Sequence, residues 1–327
     1  MLRFFKSPQP ATLFVIPVIV MLLWGRTFLH LGVSDEAMNM PLWIPVHNFL
    51  VTLPSFVNFL IIVTLISIQA IYFNHIVNRH EVLYVNSYLP AFFYALILCC
   101  TPQVLVFHPI HLVNLLLLRV LDKMFSLFKN DAPVSGLFDS SFLIAVSALF
   151  YFPSIIFYLL LIAGVNLMRP FSWREMMVLL IGFILPFFFI LVYFFWTKNM
   201  GGFTKMFAQP FQPAVLDFNI VSSIALMSFA LMGAFLLLAS LVKLRRNFYK
   251  NVIRTRTFQR IMLLFLVIAG ATLVFTRGIR VVHLEMLVIP VSVFFAYYFV
   301  SARRRLRLYE MMIWVFIGLI LWNQIAA

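Results

Sequence analysis

The stretch ATLFVIPVIVMLLWGRTFLHLGVSDE (residues 11–36) decides the fold class, because an apolar run is followed directly by two acidic residues. A transmembrane helix needs roughly 20 mostly apolar residues, and residues 11–32 supply them with Arg26 as the one charged interruption. A charged side chain near the lipid-buried end of a helix is costly unless it is paired or hydrated, so Arg26 is a functional candidate. Asp35 and Glu36 are two of only ten acidic residues in the chain.

The rest of the chain has the same apolar character. Hydrophobic residues make up 64% of the 327 residues and charged residues 10%, which is too little charge to cover a water-soluble domain. Backbone amides inside a bilayer must pair internally, so the apolar runs are expected to be helices, and the alternating pattern of a β-barrel is missing. The two cysteines, Cys99 and Cys100, are adjacent, which suits buried small side chains rather than a disulfide or a metal site.

About eleven apolar segments follow one another along the chain, with a range of roughly nine to eleven because some are short. Their approximate positions are 11–32, 47–74, 85–107, 110–128, 138–151, 153–168, 176–196, 219–242, 261–276, 281–300 and 309–325. The run from 138 to 168 is divided at Phe152-Pro153 because proline disrupts a helix interior. The first segment has no small-residue cleavage site and is expected to be an uncleaved span. We predict an all-α, polytopic transmembrane helical bundle that forms a single integral membrane domain over residues 1–327.

Lysine and arginine are distributed unequally between alternate loops. With a cytoplasmic amino terminus, the cytoplasmic stretches hold 19 of these residues and the opposite side holds four. This asymmetry follows the positive-inside rule and predicts a multi-pass protein of the inner (plasma) membrane with its amino terminus in the cytoplasm. The basic runs 243–260 and 303–307 are interpreted as anchors against the anionic leaflet. No soluble domain displays them, so no nucleic-acid partner is expected.

The non-cytoplasmic side collects most of the side chains that can perform chemistry. Its longest loop is 197–219, predicted to be re-entrant or interfacial because Gly201-Gly202, Pro210 and Pro213 break any long helix. The polar residues predicted on this side are Arg26, His30, Asp35, Glu36, His47, His108, His111, Lys198, Lys205, Asp217, Arg277, Arg280, His283 and Glu285.

Several of these residues also have a purely structural interpretation. Asp35 and Glu36 suit a negatively charged exit loop, Arg26 suits a snorkelling side chain, and His108 with His111 suits interfacial positions. Arg277, Arg280 and Glu285 suit a structural ion network. On the cytoplasmic side, residues 74–90 (NHIVNRHEVLYVNSYLP) are interpreted as a capping network that fixes the second and third segments.

The whole chain resembles a poorly characterised family of small polytopic bacterial inner-membrane proteins. The stretches that carry the resemblance are LRFFKSPQP (2–10), NRHEVLYVNSYLPAFFYAL (78–96) and FDSSFLIAVSALFYFPSIIFYLLLIAGVNLMRPFSWRE (138–175). Some members of that family are labelled carotene oxygenases, but the proline-histidine-glycine motif on which such a label rests is missing from this sequence.

Residues 3–196 also resemble the amino-terminal membrane module of GT-C glycosyltransferases, which use polyprenyl-phosphate-linked sugars. The resemblance rests on acidic residues after the first helix and on the proline-tipped hairpin that ends in RPFSWRE (169–175). It implies that Asp35 or Glu36 acts at the acceptor, and the hypothesis below takes Asp35 as general base or metal ligand with Glu36 assisting. The chain departs from these enzymes in lacking their further helices or large soluble domain.

These observations lead to one functional hypothesis and three alternatives. The hypothesis is a GT-C-like membrane protein that acts on or binds a polyprenyl-phosphate-linked substrate at the outer leaflet, with Asp35 and Glu36 catalytic. Arg26, Arg277 and Arg280 would bind the lipid phosphate, because guanidinium groups match its geometry and charge. Mg²⁺ or Mn²⁺ would be bound by Asp35 and Glu36 together with His108 or His111. The alternatives are a non-catalytic subunit or scaffold with a protein partner in an envelope complex, a lipid transporter, and a histidine-metal membrane oxygenase.

Overall fold

The computed structural model of the chain describes residues 2–6, 11–25, 28, 32–35, 40–100, 106–128, 133–208, 224–273, 281–302 and 306–326. Within these ranges every regular element is a helix, and the one β-type pairing is an isolated bridge between Val33 and Phe107. The prediction of an all-α fold is confirmed.

Fourteen α-helices follow one another in the described ranges. They are α1 (Leu2–Lys6), α2 (Ala11–Trp24), α3 (Trp43–Thr52), α4 (Ser55–Arg79), α5 (Leu89–Leu98), α6 (Pro109–Ser126), α7 (Val134–Phe150), α8 (Phe157–Met168), α9 (Trp173–Trp196), α10 (Met200–Ala208), α11 (Ile224–Asn247), α12 (Ile253–Thr272), α13 (Val288–Val300) and α14 (Leu306–Ala326). Short 3-10 helices cover Phe152–Ile156, Phe248–Lys250 and Val281–Leu287.

In the described part of the chain, five helices are long and apolar enough to cross a membrane. They are Ser55–Arg79, Trp173–Trp196, Ile224–Lys250, Val281–Val300 and Leu306–Ile325. Several other predicted segments contain shorter apolar helices, such as Leu89–Leu98 and Val134–Phe150. The structure therefore has the helices expected of a membrane protein.

Prolines account for two helix boundaries, one that the sequence analysis missed and one that it predicted. The segment predicted as 47–74 is two helices, because Leu53 is extended before Pro54 and α4 starts anew at Ser55. The predicted break at Pro153 is confirmed: α7 ends at Phe150 and Pro153 lies in the following 3-10 helix. The 197–219 loop contains α10, while residues 209–219 lie outside the described ranges.

Helix α5 is unusually short for its position in the bundle. Its ten residues extend for about 15 Å, half of the hydrocarbon thickness of a bilayer. Nearly all of its side chains are buried, and Phe93 stacks on Phe299 of α13 with ring centroids 5.0 Å apart. The chain then turns at Cys99, whose carbonyl accepts a 2.8 Å hydrogen bond from Nε2 of Gln324 in α14.

A polar network joins α4, the loop that follows it and α6 at the end of the bundle opposite the start of α6. Nε2 of His80 contacts Oδ1 of Asp122 at 2.8 Å, and the Tyr72 hydroxyl donates to the other oxygen of Asp122 at 2.9 Å. Asn78 and Ser87 exchange two hydrogen bonds across the loop between α4 and α5. These contacts support the interpretation of residues 74–90 as a network that fixes the second and third predicted segments.

Candidate functional site

The start of α6 lies against the loop that follows the first helix. Phe107 donates its backbone amide to the Gly32 carbonyl at 3.0 Å, and its own carbonyl accepts from the amide of Ser34 at 3.0 Å. The next residue, His108, is the N-cap of α6: its Nδ1 accepts from the amide of Ile110 at 3.2 Å, and proline follows at the first helical position. The local sequence FHPIH thus fixes two histidines beside the loop that contains Asp35.

Asp35, in the loop after α2, is contacted by a histidine of helix α3. Nε2 of His47 in α3 lies 3.0 Å from Oδ1 of Asp35. The Asp35 side chain is 89% exposed, whereas that of His47 is 9% exposed. The imidazole is packed beside Trp43, which is fully buried and stacks on Phe107. A fixed imidazole therefore orients an accessible carboxylate, an arrangement suited to proton transfer or to cation binding.

Another acidic residue predicted on this side, Glu285, is buried against a histidine of α6. Its Oε2 lies 3.1 Å from Nδ1 of His111, and the two side chains are 2% and 0% exposed. The contact is within ion-pair distance, and neither carboxyl oxygen accepts a hydrogen bond from a donor within the described ranges. Nε2 of His111 contacts the Val106 carbonyl at 3.1 Å.

Three further buried polar side chains surround His111 and Glu285, and two of them donate hydrogen bonds to the backbone carbonyls of these residues. Gln69 of α4 donates to the His111 carbonyl at 2.6 Å, and the Tyr94 hydroxyl of α5 donates to the side-chain oxygen of Gln69 at 3.0 Å. Asn114 of α6 donates to the Glu285 carbonyl at 3.3 Å. Three helices and the 3-10 helix Val281–Leu287 therefore meet at one buried polar cluster.

A second buried group of rings adjoins this cluster. The Tyr151 hydroxyl lies 2.8 Å from Nδ1 of His283, and the ring centroids of His108 and His283 are 6.1 Å apart. All three side chains are almost completely buried. The bundle thus gathers histidines from α6 and from the 3-10 helix at the same place as Glu285.

The predicted site residues divide into those that the structure brings together and those that it does not describe. Asp35 contacts His47, while His108 and His111 lie with His283 and Glu285. The catalytic candidate Glu36 and the phosphate-binding candidates Arg26, Arg277 and Arg280 fall outside the described ranges.

The metal site remains a prediction. Nδ1 of His108 accepts from a backbone amide, and the two ring nitrogens of His111 contact Val106 and Glu285. Within the residues that the structure describes, no group of three or more histidine, cysteine, aspartate or glutamate side chains is arranged to hold a metal ion. Since Glu36 is not among those residues, the proposed Mg²⁺ or Mn²⁺ site at Asp35 is untested.

Sequence reasoning missed the roles of Gln69, Tyr94 and Asn114. Each lies within an apolar helix, and a buried amide in such a helix is costly unless it is hydrogen-bonded. The amide side chains of Gln69 and Asn114 could therefore have predicted a buried polar cluster from the sequence.

An apolar cavity of about 440 Å³ lies between α11, α13 and α14. Phe229, Ala230 and Gly233 of α11 line one side, and Phe295 and Phe316 line the other. Glu285 is the one acidic or basic residue among its described lining residues. A Cβ atom built on Gly233 would meet no atom within 4 Å, so the glycine leaves open space.

Comparison of the chain with protein families, with curated proteins and with solved structures finds no match. The fold and the site define a class: an all-helical protein with membrane-length helices, a buried histidine–carboxylate cluster and an adjoining apolar cavity.

Proposed function

We propose that the protein is a GT-C-like, multi-pass protein of the inner membrane that acts on a polyprenyl-phosphate-linked substrate at the non-cytoplasmic face. The observation that carries the proposal is the cavity of about 440 Å³, which has the size and the apolar lining of a site for a hydrocarbon chain. Small-molecule sites of this kind measure about 300–1,000 Å³ and contain few polar groups. In this proposal the cavity holds a hydrocarbon chain of a lipid substrate.

The irregular backbone beside the cavity supports a binding role. Cys100, which follows the short helix α5, contributes to the lining. Non-helical backbone at membrane depth is tolerated where it is buried in protein or lines a cavity, and interrupted helices are a recurrent feature of membrane substrate sites. We therefore expect the non-helical backbone after α5 to form part of the lipid-binding site.

The orientation follows from the distribution of charge. The 19 to four excess of lysine and arginine supports about eleven spans with the amino terminus in the cytoplasm. In that orientation Asp35, His47 and the start of α6 lie at the non-cytoplasmic end. The start of α11, at Ile224, lies at the same end.

Asp35 is the proposed general base, because its carboxylate is accessible and the imidazole of His47 holds it in place. Arg26, Arg277 and Arg280 are proposed to bind phosphate, and Arg280 directly precedes the cavity residue Val281 in the chain. Glu36 and a Mg²⁺ or Mn²⁺ ion are proposed to assist Asp35. A scaffold subunit or a lipid transporter would use the cavity without this chemistry.

Photocrosslinking tests the proposal. A photoreactive isoprenoid phosphate is incubated with the purified protein in lipid nanodiscs, and the labelled peptides are identified by mass spectrometry. We expect labelling to concentrate in α11 and in residues 281–295, and excess unlabelled lipid to compete with it. Helix α9 is the internal control, since it exposes Phe188 and Trp196 without lining the cavity. Equal labelling of α9 and α11 would contradict a specific lipid site.

A further inference from the structure

The apolar cavity lies along a single face of α11. Its lining on this helix begins at Leu226 and ends at Leu237, and the lining positions recur at intervals of three and four residues. Positions with this spacing lie on the same side of a helix. Between the two leucines, the small side chains of Ala230, Gly233 and Ala234 leave the space that the cavity occupies.

Directly beyond the last lining residue of α11, the helices that enclose the cavity close on one another. Ser240 is fully buried and donates a hydrogen bond to the Phe294 carbonyl of α13. One turn further along α11, Lys243 donates to the Tyr298 carbonyl at 3.2 Å and to the Tyr309 hydroxyl of α14 at 3.3 Å. These five residues lie outside the cavity lining, so the contacts among the three helices end the cavity at this level.

The length of the cavity along α11 corresponds to one leaflet of a bilayer. Leu226 and Leu237 are separated by about 16 Å along the helix axis. The hydrocarbon core of a bilayer is about 30 Å thick, so this distance is roughly half of it. In the proposed orientation α11 begins at the non-cytoplasmic end, and the cavity therefore lies in the outer leaflet with its closed end near the middle of the membrane.

The volume of the cavity limits the occupant independently of its length. A carbon group of a hydrocarbon chain is about as large as a water molecule, whose share of liquid volume is about 30 Å³. The cavity of about 440 Å³ therefore accommodates about 15 such groups. A prenyl chain with about 15 carbon atoms contains about three isoprene units. Length and volume thus both indicate a short chain.

We propose that the closed end of the cavity selects lipids by chain length, so that a prenyl phosphate of about three isoprene units fills the cavity. Leu237 and Phe295, the last lining residues of α11 and α13, stop the chain and determine this specificity. A longer chain must overfill the cavity or leave its remaining units outside, and overpacking weakens binding. This inference rests on the proposed lipid site and names the chain length of its substrate.

A series of prenyl phosphates tests this assignment. A photoreactive farnesyl phosphate is crosslinked to the protein in nanodiscs, and unlabelled geranyl, farnesyl, geranylgeranyl and undecaprenyl phosphates compete at equal mole fractions in the bilayer. We expect farnesyl phosphate, with three units, to compete best and undecaprenyl phosphate to compete about tenfold less well, because its chain overfills the cavity. Equal competition by all four phosphates, or competition that increases with every added unit, would overturn the inference.

Two replacements of Leu237 change the position of the closed end in opposite directions. Leu237→Ala lengthens the cavity and should shift the preference to geranylgeranyl phosphate, whereas Leu237→Phe shortens it and should shift the preference to geranyl phosphate. Leu238→Ala is the matched control, because Leu238 is 63% exposed and lies outside the lining. It should leave the preference unchanged.

An unchanged preference for farnesyl phosphate in both Leu237 variants would contradict the role of this residue. The wild-type series decides the inference on chain length even if a variant fails to fold. Failure of the proposed lipid site itself would look different, because none of the four phosphates would then compete with the photoreactive probe.

Discussion

Nδ1 of His111 lies 3.1 Å from Oε2 of Glu285, and this contact joins the first turn of α6 to the 3-10 helix Val281–Leu287. The two residues are far apart in sequence and both are buried. Their contact therefore links packing of the bundle to the lining of the cavity, and its removal is expected to affect stability.

The stability prediction concerns the single and double replacements of this pair. His111→Leu removes the side chain that contacts the buried Glu285 carboxyl within the described ranges, and we expect it to lower the free energy of unfolding by about 1–3 kcal/mol. His111→Leu with Glu285→Leu removes both polar groups and should recover most of the loss. Thermal unfolding in detergent measures both variants. A double variant less stable than His111→Leu would show that the pair stabilises the fold by itself.

The catalytic prediction concerns Asp35. Asp35→Asn keeps the hydrogen bond to His47 but removes the charge that a general base needs, so it should abolish function in a strain that lacks the chromosomal copy. Protein abundance should remain near the wild-type value because the Asp35 side chain is 89% exposed. Full complementation by Asp35→Asn, by Glu36→Gln and by the double variant would exclude catalysis and favour a scaffold.

The topology prediction uses single introduced cysteines. Both native cysteines, Cys99 and Cys100, are buried, so background labelling should be low. A membrane-impermeant maleimide added outside the cytoplasmic membrane should modify Gly201→Cys, whose position is exposed. It should modify Asn251→Cys only after the membrane is opened. The opposite pattern would place Asp35 and His47 at the cytoplasmic face.

The packing prediction concerns the contact between α7 and α9. A Cβ atom on Gly182 would lie 2.7 Å from the Phe138 carbonyl oxygen, so Gly182→Ala must push these helices apart. We expect a loss of about 1–3 kcal/mol in the free energy of unfolding. Gly318→Ala is the control, because a Cβ atom there meets nothing within 4 Å. Equal thermal stability of the two variants would contradict the close approach of α7 and α9.

The sequence predicts the features of the fold that depend on residues close together along the chain. Apolar composition indicates helices, and Pro153 marks a helix break, because both effects are local. Pro54 carries the same signal, yet the segment predicted as 47–74 was wrongly continued through it. The turn at Cys99 that follows α5 accepts a hydrogen bond from Gln324 of α14, a contact between distant parts of the chain that no local pattern reveals.

The candidate site, too, was only partly predictable from the sequence. The distribution of charge predicts that Asp35, His108, His111 and Glu285 lie on the non-cytoplasmic side. It does not predict which of them contact one another. The pairing of Glu285 with His111, and of Asp35 with His47, depends on how α6 and α3 pack against distant segments. The cavity arises from small side chains of α11 opposite aromatic residues of α13 and α14, a relationship that exists only in the folded chain.

The proposal that the cavity holds a lipid chain is tested most directly with two matched glycine variants. The quantity to be measured is the mass of lipid that each purified variant retains. Gly233→Leu fills open space in the cavity lining, whereas Gly270→Leu fills open space in α12 away from it. Native mass spectrometry of the purified proteins measures bound lipid per chain. We expect the wild type and Gly270→Leu to retain the same lipid and Gly233→Leu to lose it. Equal lipid occupancy in all three proteins would contradict the account.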